Sequence, residues 1–150
     1  ALSVMQTAET DMTKFWRELG RVDCSASLDS VERTKPLLDS IYERESATRT
    51  QISGFVDFAE RWAARQRELG VNDVERQMSM DAVNPKYVLR NYMAQLAIER
   101  AEEGDGSMVE ELLDLMRRPY DEQPDRNQFS LLRPDWARTK VGCSQLSCSS

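Results

Sequence analysis

A chain of 150 residues, 40% hydrophobic and 31% charged, has the size and balance of one ordinary domain, too apolar for wholesale disorder and too polar for a membrane protein. Its formal net charge of -6 argues against a nucleic-acid backbone as main partner, because phosphate affinity comes from clustered Lys and Arg that release counterions. The absence of histidine removes every mechanism with a local imidazole as base, and three cysteines cannot complete a closed zinc site of sulfur and nitrogen ligands.

In chain order, Met5, Ala8, Met12, Phe15, Trp16 and Leu19 recur every three to four positions, and the spacing predicts one amphipathic helix closed by a left-handed Gly20. "RVDCSASLDS" has linker composition and leaves Cys24 in a loop. Leu37, Leu38, Ile41 and Tyr42 then begin a short helical face behind Pro36, which suits a first turn. Ile52, Phe55, Val56, Ala59, Trp62, Ala63 and Leu69 predict a longer helix that tolerates Gly54 and stops at Gly70. Asn72, with Glu75 three residues on, caps a brief connector helix.

In "NPKYVLRNYMAQLAIERAEEGD", Asn84 as cap and Pro85 as first helical residue predict a helix with Val88, Leu89, Tyr92, Met93, Leu96 and Ala97 on its apolar face. Asn91, Gln95, Glu99 and Glu102 take the wet face. Ser107 and Glu110 stand at capping-box spacing and open another helix, whose stripe is Met108, Leu112, Leu115 and Met116 and whose end is Pro119. Beyond it, Pro124 and Pro134 among polar residues predict an extended, irregular segment, and no stretch alternates long enough for a strand. The expected fold is therefore all-α, with a helical region over 1–118 and an extended tail over 119–150.

Chemistry is sparse. There is no glycine-rich phosphate cradle and no nucleophile elbow. Asp121, Glu122 and Asp125 lack the glycine turn and final glutamate of a calcium loop, so "PYDEQPD" is read as a strap laid over the fold, anchored by Tyr120 and Trp136. No apolar run approaches the ~18 residues that span a bilayer, and no secretory signal opens the chain. An odd cysteine count points to a reducing, intracellular compartment. The start at Ala1, in what reads as mid-helix, marks a fragment or processed product.

The ending "GCSQLSCSS" puts Cys143 and Cys148 in a tail with little to bury. The terminal carboxylate near Cys148 disfavours its reactive thiolate, so a redox role needs positive charge or a partner cysteine beside it.

At "AVNPKYVLRNYMAQLAIERAEEGD", then "PYDEQPD", "RPDWA" and the closing "SCSS", the sequence resembles the carboxy-terminal part of the selenoprotein O family. The likeness is dense from Met80 onward and thinner over "MQTAETDMTKFWRELG". It implies a protein-kinase-like parent fold that binds ATP with a divalent metal, Mg or Mn, and transfers AMP to hydroxyl groups of proteins. The parent enzyme's nucleotide, metal and catalytic residues belong to a core upstream of the matched region, so none is carried onto this chain, which by itself is expected to be inactive. Some members have selenocysteine third from the end, where this chain has Cys148. Gln145 departs from the C-x-x-U spacing of those members, with Cys143 further back.

The resemblance thus implies a helical portion that packs on a kinase-like core of the same protein and serves protein substrates, with Cys148 and Cys143 as redox groups. The compartment is the bacterial cytoplasm or the mitochondrion. Two rivals stand beside it: a freestanding helical interaction module, and a thiol oxidoreductase built on the tail itself.

Overall fold

The computed structural model describes residues 1–143, and the regular secondary structure among them is helical. Its α-helices are α1 (Leu2–Thr7), α2 (Met12–Leu19), α3 (Ser30–Leu38), α4 (Arg49–Leu69), α5 (Asp73–Asp81), α6 (Asn91–Glu102) and α7 (Ser107–Arg117), with 3-10 turns at Arg44–Ser46, Pro124–Ser130 and Asp135–Arg138. Extended pairing among the described residues is an isolated bridge between Thr10 and Ile41. The chain divides into two compact units, Ala1–Pro85 and a second beginning at Lys86. Composition had set its division after residue 118; contacts set theirs at Pro85.

The first unit is built around Phe15, which is wholly buried and meets Trp16, Phe55 and Phe58 at ring-centroid distances of 5.5, 6.3 and 5.7 Å. Leu19, Val22, Leu37, Ala59 and Ala63 complete the core. The small residues of α4 let α3 approach it closely, because Ala adds apolar surface without pushing a neighbouring helix away. Where one helix over Met5–Leu19 was expected, the chain makes two. Asp11 breaks the run: its carboxylate accepts from the Lys14 amide at 2.9 Å, and its own amide donates to the Ser40 carbonyl at 2.8 Å. A cap bond of this kind favours a helix start worth about 1 kcal/mol. The apolar period runs on across the break because both short helices face the same core. Gly20 is right-handed, at φ -60, rather than left-handed.

The second helix also differs from expectation. It begins at Ser30, capped by Asp29, and carries Pro36 in its last turn rather than its first. Polar "RVDCSASLDS" is held in place by one side chain. Buried Arg33 donates to the carbonyls of Asp23, Ser25 and Leu28 at 3.0, 2.6 and 3.2 Å and pairs with Glu60. α4 starts in a capping box of Thr48 and Gln51 and ends at Gly70 with φ +65. The Asn72 side chain caps α5 through the amides of Val74 and Glu75.

In the second unit, α6 and α7 pack on each other around Tyr87, Met93, Ala97, Met108, Leu112 and Leu115. α6 starts at Asn91, not at Asn84. The Asn84 side chain instead donates back to the Met80 carbonyl at 2.9 Å, and residues 86–90 run extended, with the amides of Lys86 and Tyr87 both donating to the Pro119 carbonyl. The Pro119 carbonyl takes the two first-turn amides that an Asn84 cap would have accepted, and the Asn84 side chain is turned to Met80 instead. The capping box at Ser107 does not form either. Ser107 is already helical, its amide taken by the Asp105 carboxylate at 3.0 Å, and Gly106 holds the cap position.

Candidate functional site

The segment after α7 folds back on the unit. Tyr87 Oη donates to the Gln123 carbonyl at 3.0 Å, and Gln123 Nε2 reaches the carbonyls of Leu115 and Arg118 at 3.3 and 2.9 Å, satisfying the orphan end of α7. The anchors of the strap are therefore Tyr87 and Gln123. Of the two expected anchors, Tyr120 and Trp136, which are 44% and 45% exposed, Trp136 stacks edge-on to Tyr92 with centroids 5.9 Å apart. Glu122 pairs with Lys86, which also donates to Asn127, so this carboxylate of "PYDEQPD" serves an ion pair.

Cys143 closes the described chain. It is only 5% exposed, and its amide donates to the Lys140 carbonyl at 3.1 Å. Around it the chain is clasped to α6. Lys140 Nζ pairs with Glu99 at 2.6 Å and stands 5.5 Å from the Trp136 ring centroid, and Gln95 Nε2 donates to the other oxygen of Glu99 at 3.1 Å. Those bonds from Lys140 and Gln95 hold the Glu99 carboxyl below its usual range. Gly142 has φ +85 and lies so near Gln95 that no larger residue fits without moving it. Ala137 beneath is fully buried. The exposed thiol expected at Cys143 is thus a packed one, and Cys148 lies outside the described residues. Sequence reading had set Gln95 and Glu99 on the wet face; the tail that covers them is distant in sequence, and periodicity carries no sign of it.

Cys24 is likewise buried, at 4% exposure, where a loop thiol was expected. Its amide donates to Asp73 at 2.9 Å, Arg67 donates to its carbonyl at 2.8 Å, and Arg76 Nη1 lies 3.1 Å from its sulfur. Burial nevertheless pushes the thiol up, outweighing the Arg76 charge. Neither Cys24 nor Cys143 is in a disulfide.

The remaining feature is a groove of about 350 Å³ between α6 and α7, lined by Leu89, Ala94, Ile98, Val109, Leu113 and Met116 over a floor of Ala97 and Leu112. Ile98 and Leu113 are 52% and 57% exposed. Full burial of such a side chain is worth ~1.5–3 kcal/mol, so covering each half-exposed one would contribute about 1 kcal/mol. The groove has no polar group to orient a reacting molecule, which suits it to packing rather than catalysis. Among the described residues no cluster of three or more cysteine and carboxylate side chains could hold a metal ion, and no helix is long and apolar enough to cross a membrane.

No family model matches the chain. It is similar to proteins named protein nucleotidyltransferase YdiU. That of Rhodopirellula baltica is 42% identical over 157 residues, covering 99% of this chain and 29% of the relative. Those of Methylobacillus flagellatus and an Azoarcus species are each 45% identical, over 147 and 148 residues, covering 98% and 97% of this chain and 27% of each relative. The chain therefore spans under a third of the length of the curated relatives it matches.

Proposed function

We infer that this chain, which belongs to the selenoprotein O family of YdiU protein nucleotidyltransferases, is the carboxy-terminal part of a protein adenylyltransferase. The parent enzyme transfers AMP from ATP to hydroxyl groups of substrate proteins, inside the cell. The observation that carries this reading is the identity of 42–45% over 97–99% of the chain, which leaves no unmatched stretch large enough to be a separate module.

The described residues do not suit ATP or its metal: they bring together no set of oxygen ligands, and the groove offers only aliphatic walls. Nucleotide and metal belong, as the family resemblance implies, to a kinase-like core elsewhere in the parent protein. This part supplies structural support to that core by burying apolar helix faces against it, and Cys148, with Cys143, supplies redox control. The 150 residues alone have no AMP transfer.

The test is incorporation of labelled AMP into an acceptor protein with ATP and Mg or Mn. The longer natural protein is expected to label, and the 150-residue chain is expected not to. Labelling by the isolated chain, or its absence from the longer protein, would overturn the reading. For the redox part, a non-reducing peptide map of the longer protein should find Cys148 bridged to a core cysteine; a free Cys148 in the oxidised protein removes that role.

A further inference from the structure

The groove between α6 and α7 has charged lips, and they are not alike at its two ends. Successive helical residues turn by about 100°. On α7, Met108, Leu112 and Leu115 face the core, so Val109, Leu113 and Met116 turn to the groove and Glu110 and Arg117 follow on its outer lip. On α6, Met93 and Ala97 face the core, Ala94 and Ile98 line the groove, and Asn91 and Glu102 take the facing lip. Residues 103–106 alone join the two helices, so they run antiparallel and bring Glu102 and Glu110 to the same end, with Asp105 in the turn. All three carboxylates are exposed; at the opposite end Arg117 and Arg118 are exposed, and the carboxylate beside Arg117, Asp114 at 3.9 Å, is bonded to Arg126 at 2.8 Å, so that end keeps net positive charge.

We propose that an amphipathic helix of the same polypeptide, from the part of the parent protein outside these 150 residues, lies in this groove. Its aliphatic residues at i, i+3 or i+4, and i+7 meet the walls, a Lys or Arg sits over Glu102 and Glu110, and an Asp or Glu sits over Arg117. This rests on the reading of the chain as part of a longer enzyme. The relatives carry more than two thirds of their length outside the matched region, so most of the surface available to cover the groove belongs to the same chain. An exposed apolar surface of this kind is normally occupied in the native protein. Opposite charge at its two ends selects one direction for the occupant, because the reversed helix would set like charges together at both ends.

The experiment places the photo-crosslinker p-benzoylphenylalanine at Leu113, and separately at Ile98, in the longer natural protein, and identifies the crosslinked peptide by mass spectrometry. Both positions are more than half exposed in these 150 residues, so the probe leaves the packing of α6 against α7 undisturbed. The expected product is an intramolecular crosslink, from both positions, to one amphipathic peptide outside residues 1–150. Reversing the lip with Glu102→Lys and Glu110→Lys should lower its yield several-fold. A crosslink of dimer mass, a crosslink to a different protein, or no crosslink from either position overturns the proposal. The readout needs no catalysis: a longer protein without AMP transfer that gives the crosslink keeps the docking and removes the enzyme, and an active protein without it does the reverse.

Discussion

Replacing Gly142 with alanine tests whether the clasp on α6 is what buries Cys143. At φ +85 an L-residue is strained, by about 1–2 kcal/mol in the left-handed region. The added Cβ would also stand 2.4 Å from Gln95 Oε1 and 3.0 Å from its Cδ, well inside contact distance. Gln95 has a flexible side chain and can swing away, but doing so gives up its bond to Glu99, a loss of about 0.5–1 kcal/mol at a partly exposed site. Together these penalise the docked segment by about 2 kcal/mol, which is roughly a 30-fold increase in the population of the lifted state. Alkylation of Cys143 under native conditions reads that population directly, because the thiol reacts only when uncovered. Peptide mapping after timed exposure to iodoacetamide should show Cys143 labelled about 30-fold faster in Gly142→Ala, by the same free-energy arithmetic, with Cys24 unchanged as internal reference. In the double variant with Gln95→Ala the clash is gone and only the backbone strain is left, so the acceleration should fall to about tenfold. A Gly142→Ala rate equal to that of the parent chain would refute the reasoning, since the burial of Cys143 would then owe nothing to this contact.

In the first unit, Arg33→Met keeps the length of the side chain and removes three carbonyl bonds together with the Glu60 pair, so the urea midpoint followed by Trp16 and Trp62 fluorescence should drop by the equivalent of about 3 kcal/mol. An unchanged midpoint would mean that residues 21–29 hold themselves. Because burial raises the Cys24 thiol, the folded state keeps its proton where the unfolded chain has begun to lose it. Its contribution to stability is therefore intact below the ordinary thiol range and is lost as pH rises through the raised value. Stability measured across the alkaline range should fall less steeply in Cys24→Ala than in the parent chain, and parallel curves would contradict this.

The elements legible in the sequence are those whose signals are local. α4 and α5 were readable because Gly70 and the Asn72 cap act within a turn of the residues they stop or start. The misplaced start of α6 has a non-local cause. Asn84 followed by Pro85 is a good local helix opening, yet the Pro119 carbonyl, 33 and 32 residues ahead of Lys86 and Tyr87 in the chain, takes both their amides and holds them extended. In the same way, loop composition around Cys24 described the backbone well but said nothing about Arg33 and Arg76, whose guanidinium groups bond its carbonyls and fix it where Val22 and Cys24 are buried. Buried arginines bonded to backbone carbonyls are invisible to hydrophobic periodicity, which counts charge as a mark of solvent.

The same geometry weighs on the two tail thiols unequally. Thiol–disulfide exchange requires a thiolate to reach a sulfur along an open path. Cys143 has no such path while Lys140 is paired with Glu99 and Gly142 lies against Gln95, so it can react only after the segment from Trp136 onward has lifted from α6. A redox element that used Cys143 would have to break that clasp first, and its rate would follow every substitution that loosens the clasp. One that used Cys148 alone would be indifferent to them. The Gly142→Ala variant of the longer protein therefore separates the two thiols: if its oxidation rate equals that of the parent protein, Cys148 acts without Cys143, and the buried cysteine is an anchor for the tail.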